Sequence, residues 1–163
     1  MSFHLPESAR RVQAFLKSKG VDTQVIELPE STRTAADAAR AIGCEVAYIA
    51  KSLIFRATRT GRPILVIASG TNRVDETAIA RLVSEPIEKA SPEFVREKTG
   101  YAIGGVPPVA HVHEPVVFID RDLQSYPEIW AAAGTPRTVF RITPEELVEL
   151  TIGRVITIAE EKR

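Results

Sequence analysis

Tyr48-Ile49-Ala50-Lys51-Ser52-Leu53-Ile54-Phe55 predicts a buried strand, because the segment is almost entirely apolar, β-branched and aromatic. Lys51 is its only charged residue. Side chains alternate between the two faces of a strand, so Lys51 points to the same side as the bulky residues Leu53 and Phe55. Burial of an unpaired ammonium group is costly. We therefore expect Lys51 to line a pocket, to meet an anion or to reach solvent along the strand edge.

The composition is that of an ordinary globular protein, with 44% hydrophobic and 26% charged residues in a chain of 163. This length favours one domain over residues 1–163, and the composition excludes disordered, fibrous and membrane-embedded chains. The first residues lack the basic segment and apolar stretch of a signal peptide, which predicts a cytoplasmic protein. The single cysteine, Cys44, has no cysteine-enzyme signature around it and is interpreted as a packing residue.

Apolar spacing and capping residues predict a chain in which helices and strands alternate. Strands joined both by hairpins and by helices indicate an α/β (α+β) fold with a mixed sheet rather than a purely parallel one. Helices are predicted at residues 7–19, 34–43, 75–83, 91–100 and 127–133 and from residue 143 onward, and strands at 24–28, 48–57, 63–68, 116–119, 138–142 and 155–158.

Positive charge is concentrated in residues 46–74, which contain no aspartate or glutamate. One interpretation is a surface that attracts phosphate groups, although the net charge of the chain is zero. The other is a hairpin rim whose arginines point into solvent. The candidate nucleic-acid contacts in and beside this segment are Arg56, Arg59, Arg62, Asn72 and Arg73.

The segment Gly104-Gly105-Val106-Pro107-Pro108 predicts a rigid loop, because glycines and prolines together prevent regular structure. Glycines let backbone N–H groups approach a ligand closely, as in an oxyanion or carbonyl cradle. A tight connection between a helix and a strand explains the same residues.

Three further residues are candidates for substrate or metal contacts. His111 and His113 lie on one face if their segment is a strand, a spacing compatible with a metal site, although no third ligand is evident. Asp120 follows an apolar strand and either contacts substrate or caps a turn.

Four stretches in this order resemble the YbaK/ProX family of free-standing relatives of the prolyl-tRNA synthetase editing domain. They are Ala35-Ala36-Asp37-Ala38-Ala39, the lysine strand from Ile49 to Phe55, Thr99-Gly100 followed by Gly104 to Pro108, and Val117-Phe118-Ile119-Asp120. The resemblance implies a curved, mostly antiparallel mixed sheet, partly closed into a barrel, with helices packed outside.

The resemblance also implies an aminoacyl-tRNA deacylase that acts in trans on the ester of a mischarged tRNA, with tRNA for proline as the expected substrate and prolyl-tRNA synthetase as a possible partner. Lys51 matches the required lysine of the family, and Gly104 to Pro108 match its substrate loop, with His111 and Asp120 as further substrate contacts. No metal or other cofactor is expected. The alternative is a non-catalytic RNA-binding or regulatory module on the same fold.

Overall fold

The computed structural model describes residues 5–160, which fold around a mixed sheet of eight strands with five helices. The expectation about a signal peptide concerns an N-terminal segment whose first four residues lie outside the described residues. In chain order the elements are α1 (Glu7–Ser18), β1 (Ile26–Glu27), α2 (Ala35–Ile42), β2 (Ile49–Ala57), β3 (Pro63–Ser69), α3 (Glu76–Val83), β4 (Ile87–Lys89), α4 (Pro92–Thr99), β5 (Val116–Asp120), β6 (Ile129–Ala132), β7 (Thr138–Ile142), α5 (Pro144–Thr151) and β8 (Arg154–Ile156).

The sheet runs in the order β1-β7-β6-β2-β3-β5-β8, and β4 pairs with β2 beside this path. The pairings of β1 with β7, β2 with β3, β2 with β4 and β6 with β7 are antiparallel, and the other three are parallel. The predicted mixed, mostly antiparallel sheet is therefore confirmed. Within residues 5–160 its outer strands β1 and β8 do not pair, so hydrogen bonding does not close a barrel.

The strand β2 is the centre of the sheet and has an open stretch on one side. It pairs with β3 from Ala50 to Arg56, whereas on its other side β6 reaches only Ile49 and Ala50 and β4 begins at Phe55. Residues 51–53 consequently have β3 on one side and no described strand on the other. A gap in the sheet of this kind leaves backbone groups available to something other than a strand.

The two faces of the sheet bury different hydrophobic clusters, as alternation along the strands requires. Ala50 and Ile54 belong to the larger cluster, which includes residues of α1 and the loop residue Val106. Phe55 belongs to the second cluster, together with Ile79 of α3. Lys51 lies on the face of Phe55, as predicted from the sequence.

Helix boundaries follow the predicted capping signals closely. Thr34, Asp75, Ser91 and Thr143 each accept a hydrogen bond from a backbone N–H in the first turn of a helix, which satisfies a donor that the helix itself leaves free. Thr143 and Glu146 form the complete capping box.

One sequence prediction is wrong, and one short strand was not predicted. Residues 127–133 were expected to be a helix, but Ile129–Ala132 forms the strand β6 between β2 and β7. The pairing energy and burial available there outweigh the helical preference of three consecutive alanines. The short strand β4 (Ile87–Lys89) was not predicted, because three residues carry too little periodicity to detect.

Among residues 5–160, no helix combines the length and the apolar character that crossing a lipid bilayer requires.

Candidate functional site

Lys51 lies at the open stretch of β2, half-buried, and lines two adjoining clefts. Its ammonium group has no carboxylate within ion-pair distance and no hydrogen bond among the described residues. Of the three fates predicted from the sequence, the pocket-lining one is therefore the one observed. An unpaired cation at the mouth of a cleft is available to an anionic or strongly dipolar ligand.

Burial is the main influence on the pKa of Lys51 and lowers it below the usual value for lysine. Asp120 opposes this effect, and Arg73 adds to it. The register of the sheet explains the influence of Asp120: Lys51 pairs with Ala68, and the pairing of Ile67 with Ile119 places Asp120 next to Ala68 on the same face. Two strand spacings, about 10 Å, separate the backbones of Lys51 and Asp120.

The first cleft has a volume of about 680 Å³, within the usual range for a small-molecule site. One wall is helix α2 and another is strand β6, and Lys51 and Arg33 bring positive charge to its lining. Most of the remaining lining is apolar, and it combines six alanines, Ala35, Ala36, Ala38, Ala50, Ala131 and Ala132, with larger side chains that include Ile42, Ile49, Leu53, Ile103 and Trp130. Such a wall suits an uncharged group with a carbonyl or anionic end near Lys51.

The glycine–proline loop borders the two clefts at the open stretch of β2. Gly104 has φ +94°, a left-handed conformation that L side chains rarely adopt, and it lines both clefts. Gly105 is required for a different reason: a Cβ there would lie 2.6 Å from the backbone of Thr135. Its N–H donates to Ala102 and its carbonyl accepts from Gly134. The close approach that the glycines allow is thus partly to the protein itself.

Val106 is the other loop residue that reaches the site. Its buried side chain packs into the larger core cluster and lines both clefts beside Lys51 and Ser52. The backbone N–H groups of Gly104 and Val106 donate to no acceptor within residues 5–160. Both groups therefore have a donor to offer a ligand.

Pro107 and Pro108 belong to the part of the loop that does not border the clefts at Lys51. Both are buried, neither lines the clefts that contain Lys51, and the carbonyl of Pro107 bonds to the imidazole Nε2 of His111 at 2.6 Å. His111 is partly buried, and burial lowers its pKa below the usual histidine value. The structure thus places His111 behind the substrate loop, in contact with Pro107, and not beside Lys51.

A third cleft, of about 750 Å³, lies on that far side of the loop and is lined by Pro108, Val109, Ala110 and His111. It does not include Lys51 or Gly104, which separates it from the candidate site. His113 is exposed, and its segment is a bend rather than the strand that would align it with His111. No group of three or more histidine, cysteine, aspartate or glutamate residues within residues 5–160 is arranged to hold a metal ion.

Asp120 is buried, and both of its carboxylate oxygens accept hydrogen bonds from the protein. Its Oδ2 accepts from the Ser69 N–H at 2.9 Å and from the Asn72 amide at 2.8 Å, and its Oδ1 accepts from the Asp122 N–H at 2.9 Å. The Asn72 amide also donates to Asp122. This geometry favours the turn-capping interpretation of Asp120, which acts on the site through its charge. The side-chain amide of Asn72 thus donates its hydrogen bonds to carboxylates of the protein.

The candidate nucleic-acid arginines divide into two groups. Arg56 pairs with Glu88, Arg62 pairs with Glu85, and Arg59 donates to the Ser84 carbonyl. They lie toward the hairpin end of β2, and Arg62, opposite the last residue Ala57, is about 20 Å along the strand from Lys51. Arg73 instead lines the second cleft together with Lys51. These four arginines are close together in the chain, but only Arg73 lines a cleft with Lys51.

Ser52 is a site residue that the sequence reasoning missed. Its hydroxyl is buried without a hydrogen-bond partner in the described part of the chain, and it lines both clefts. Ala50 lies where β2 pairs with β6, and the Ile54 carbonyl accepts from Ala90, so alternation directs the backbone groups of Ser52 into the gap between β6 and β4. The available signal was a lone hydroxyl beside Lys51 in an otherwise apolar strand.

Cys44 is partly buried and lines neither cleft at Lys51. Burial raises the pKa of its thiol, which keeps it protonated near neutral pH. It has the properties of a packing residue, as expected.

Comparisons with known proteins bear on the whole chain. A family model described as "aminoacyl-tRNA editing domain" matches residues 29–150. The chain is 31% identical to the uncharacterized protein YwhH of Bacillus subtilis (strain 168) over 148 residues, covering 91% of this chain and 94% of that protein. It is 30% identical over 95 residues to a proline–tRNA ligase of Limosilactobacillus fermentum, covering 56% of this chain and 17% of the ligase.

A solved structure described as a "putative trans-editing enzyme for prolyl tRNA synthetase" is also similar. It superposes with a TM-score of 0.91 at 51% sequence identity, covering 96% of this chain and 99% of that one. The structural comparison therefore indicates the same kind of relative as the sequence motifs do.

Proposed function

The chain belongs to the family of aminoacyl-tRNA editing domains, and on this basis we propose that it is a deacylase that acts in trans on the ester of a mischarged tRNA. The observation that carries the proposal is Lys51, a half-buried and unpaired cation at the mouth of an apolar cleft. The fold alone does not fix an activity, but a fold together with a built site supports one.

The chemistry of the site suits ester hydrolysis without a protein nucleophile. Negative charge develops on the ester carbonyl oxygen in the transition state, and preorganised donors stabilise it. Lys51 supplies a positive charge, and the backbone N–H groups of Gly104 and Val106, which line the same cleft, supply donors that no acceptor within residues 5–160 uses. We assign Lys51 to binding and electrostatic stabilisation, with the cleft residues excluding bulk water.

The next step concerns the group that orients the water for its attack on the ester. His111 is turned behind the loop, Asp120 is occupied by protein donors, and Cys44 is protonated. Glu76 and Glu160 line the second cleft and not the apolar one, so we assign the orientation of the water to a hydroxyl of the substrate's terminal ribose, in keeping with the family. Lys51 would act as a base only after losing the proton that makes it an anchor.

The substrate is the second part of the proposal. The apolar wall of the first cleft fits an uncharged amino-acid side chain. A tRNA for proline is favoured because one relative is a proline–tRNA ligase and a solved neighbour is described as an editing enzyme for prolyl-tRNA synthetase. The proposal places the protein in the cytoplasm with the translation machinery that makes its substrate.

Deacylation of a panel of mischarged tRNAs by the wild type and the Lys51→Ala variant tests the proposal. We expect hydrolysis of at least one ester by the wild type and a loss of about 100-fold or more in kcat/KM for the variant, the magnitude found when one oxyanion donor is removed. Unchanged hydrolysis by the variant would exclude the role of Lys51. A wild type that binds tRNA but hydrolyses no ester would establish a non-catalytic RNA-binding module instead.

A further inference from the structure

A second cleft, of about 540 Å³, adjoins the apolar cleft along the open stretch of β2. The two share Lys51, Ser52, Leu53, Ile103, Gly104 and Val106, and they differ in chemistry. Whereas apolar residues dominate the first, the second adds charged side chains from three other parts of the chain: Arg73, Glu76, Lys89 and Glu160.

The cations of this second cleft are not used by the protein. Arg73 and Lys89 are exposed, and neither has a carboxylate within 4.0 Å nor a side-chain hydrogen bond among the described residues. The arginines at the far end of β2 contrast with them, since Arg56 and Arg62 are paired with acids. Free cations that line one cavity are available to an anion.

The two acids of the cleft limit the size of that anion. Three cations, Lys51, Arg73 and Lys89, against two carboxylates, Glu76 and Glu160, leave a net charge of +1. This excess suits a single phosphodiester rather than a length of duplex, whose many phosphates the carboxylates would repel.

We propose that Arg73 and Lys89 bind the phosphate of the terminal nucleotide of the RNA, while the aminoacyl group occupies the apolar cleft on the other side of Lys51. This subsite deepens the proposed function and rests on it. In an aminoacyl-tRNA a single ribose separates the ester from the nearest phosphate, and the two clefts are likewise separated only by the residues they share. Arginine and lysine are the usual protein ligands of phosphate oxygens.

The subsite has a consequence for substrate choice. A phosphate held beside Lys51 fixes the ribose and hence the ester carbonyl, so the enzyme discriminates an RNA-linked ester from a free amino-acid ester. Arg56, Arg59 and Arg62 are not needed for this step.

The test compares two small substrates, the 2′(3′)-aminoacyl ester of adenosine and the same ester carrying a 5′-phosphate, with the amino acid that the tRNA panel selects. For the wild type we expect kcat/KM to be about 10-fold higher with the phosphate, which is the gain expected from one charge-assisted hydrogen bond. In the double variant Arg73→Gln and Lys89→Gln this ratio should fall toward one. The exposed Lys17 on α1 is the matched control, and Lys17→Gln should keep the wild-type ratio.

Failure of the phosphate subsite and failure of the proposed function give different experimental results. A double variant that keeps the wild-type ratio, or a wild type indifferent to the phosphate, overturns the subsite while leaving deacylation intact. If the wild type hydrolyses neither ester, the proposed function fails, and binding of adenosine 5′-monophosphate against adenosine, followed by NMR, decides the subsite alone. Preference for the monophosphate that the double variant loses supports it, and equal binding overturns it.

Discussion

At the scale of single residues, the informative feature is a charge among apolar neighbours. Lys51 shares its face of β2 with Leu53 and Phe55, and among the described residues it neither pairs with an acid nor lies fully in solvent. Keeping such a group half-buried costs stability, and the cost is commonly tolerated where function requires it. Its ionisation state is therefore the first property to measure.

The pH dependence of deacylation distinguishes an anchoring lysine from a basic one. Burial lowers the pKa of Lys51, so the ammonium group loses its proton at a lower pH than an ordinary lysine. If Lys51 acts as a cation, enzymatic hydrolysis, corrected for the spontaneous rate, falls as pH rises through that pKa. The Lys51→Arg variant should retain part of the activity and lose this alkaline decline, because arginine stays charged. A rate that rises through the same region would identify a base.

Asp120 is predicted to be a structural requirement of the site. In Asp120→Asn one carboxylate oxygen becomes an NH₂ group that faces protein donors, namely the N–H of Ser69 or Asp122 or the Asn72 amide. We expect a loss of about 1–3 kcal/mol in the free energy of unfolding, measured by urea denaturation. The exposed Asp22→Asn control should change it by less than about 0.5 kcal/mol. Equal stability of the two variants would contradict the buried network.

At the scale of elements, the loop from Gly104 to Pro108 combines both interpretations that the sequence left open. It is a tight connection, because Gly105 packs on the backbone of Thr135 and Pro107 bonds to His111. It is also part of the candidate site, because Gly104 and Val106 line the clefts at Lys51. One short segment can serve both purposes because successive residues point in different directions.

The two loop glycines should respond differently to an added methyl group. In Gly105→Ala the Cβ would lie 2.6 Å from backbone atoms of Thr135, so the loop must move. In Gly104→Ala the nearest atoms are at 3.7 Å and only the backbone at φ +94° is strained, which costs about 1 kcal/mol. We expect Gly105→Ala to lower the melting temperature further and to reduce kcat/KM more strongly. A milder effect than that of Gly104→Ala would contradict the packing role of Gly105.

The strand β6 shows where local reasoning failed. Residues 127–133 contain three alanines and were predicted to be helical, but Ile49 and Ala50 of β2 lie on one side of β6 and β7 on the other. Two ready partner strands supply hydrogen bonds along both edges of a short segment, which helix propensity of a few tenths of a kcal/mol per residue does not outweigh. Long elements with caps, such as α5, were predicted correctly because their signals are local.

At the scale of the whole molecule, the sheet joins the site to both hydrophobic clusters. The strand β2 contributes Ala50 and Ile54 to one cluster and Phe55 to the other, while Lys51 and Ser52 between them line the clefts. Loosening the core would therefore disturb the site directly. We expect the protein to unfold as one cooperative unit.

Trp130, the single tryptophan, provides the test of that cooperativity. It lies in β6 opposite Ile49 and lines the apolar cleft. In urea, tryptophan fluorescence and far-UV circular dichroism should show coincident unfolding transitions, since the sheet connects β6 to the rest of the core. A fluorescence transition at clearly lower urea would show that β6 and β7 unfold separately and that the apolar cleft can open while the core remains.

The amino-acid sequence by itself determined the properties that neighbours in the chain control: helix caps at Thr34, Ser91 and Thr143, the β2–β3 hairpin, the irregular loop and the anomaly of Lys51. Only the tertiary structure decided which charges are free. Arg62 meets Glu85 and Asn72 meets Asp120 across 23 and 48 residues of chain, whereas Lys51 meets no partner within residues 5–160. The physical reason is that pairing, burial and the gap between β4 and β6 depend on residues that are distant in sequence and adjacent only after folding.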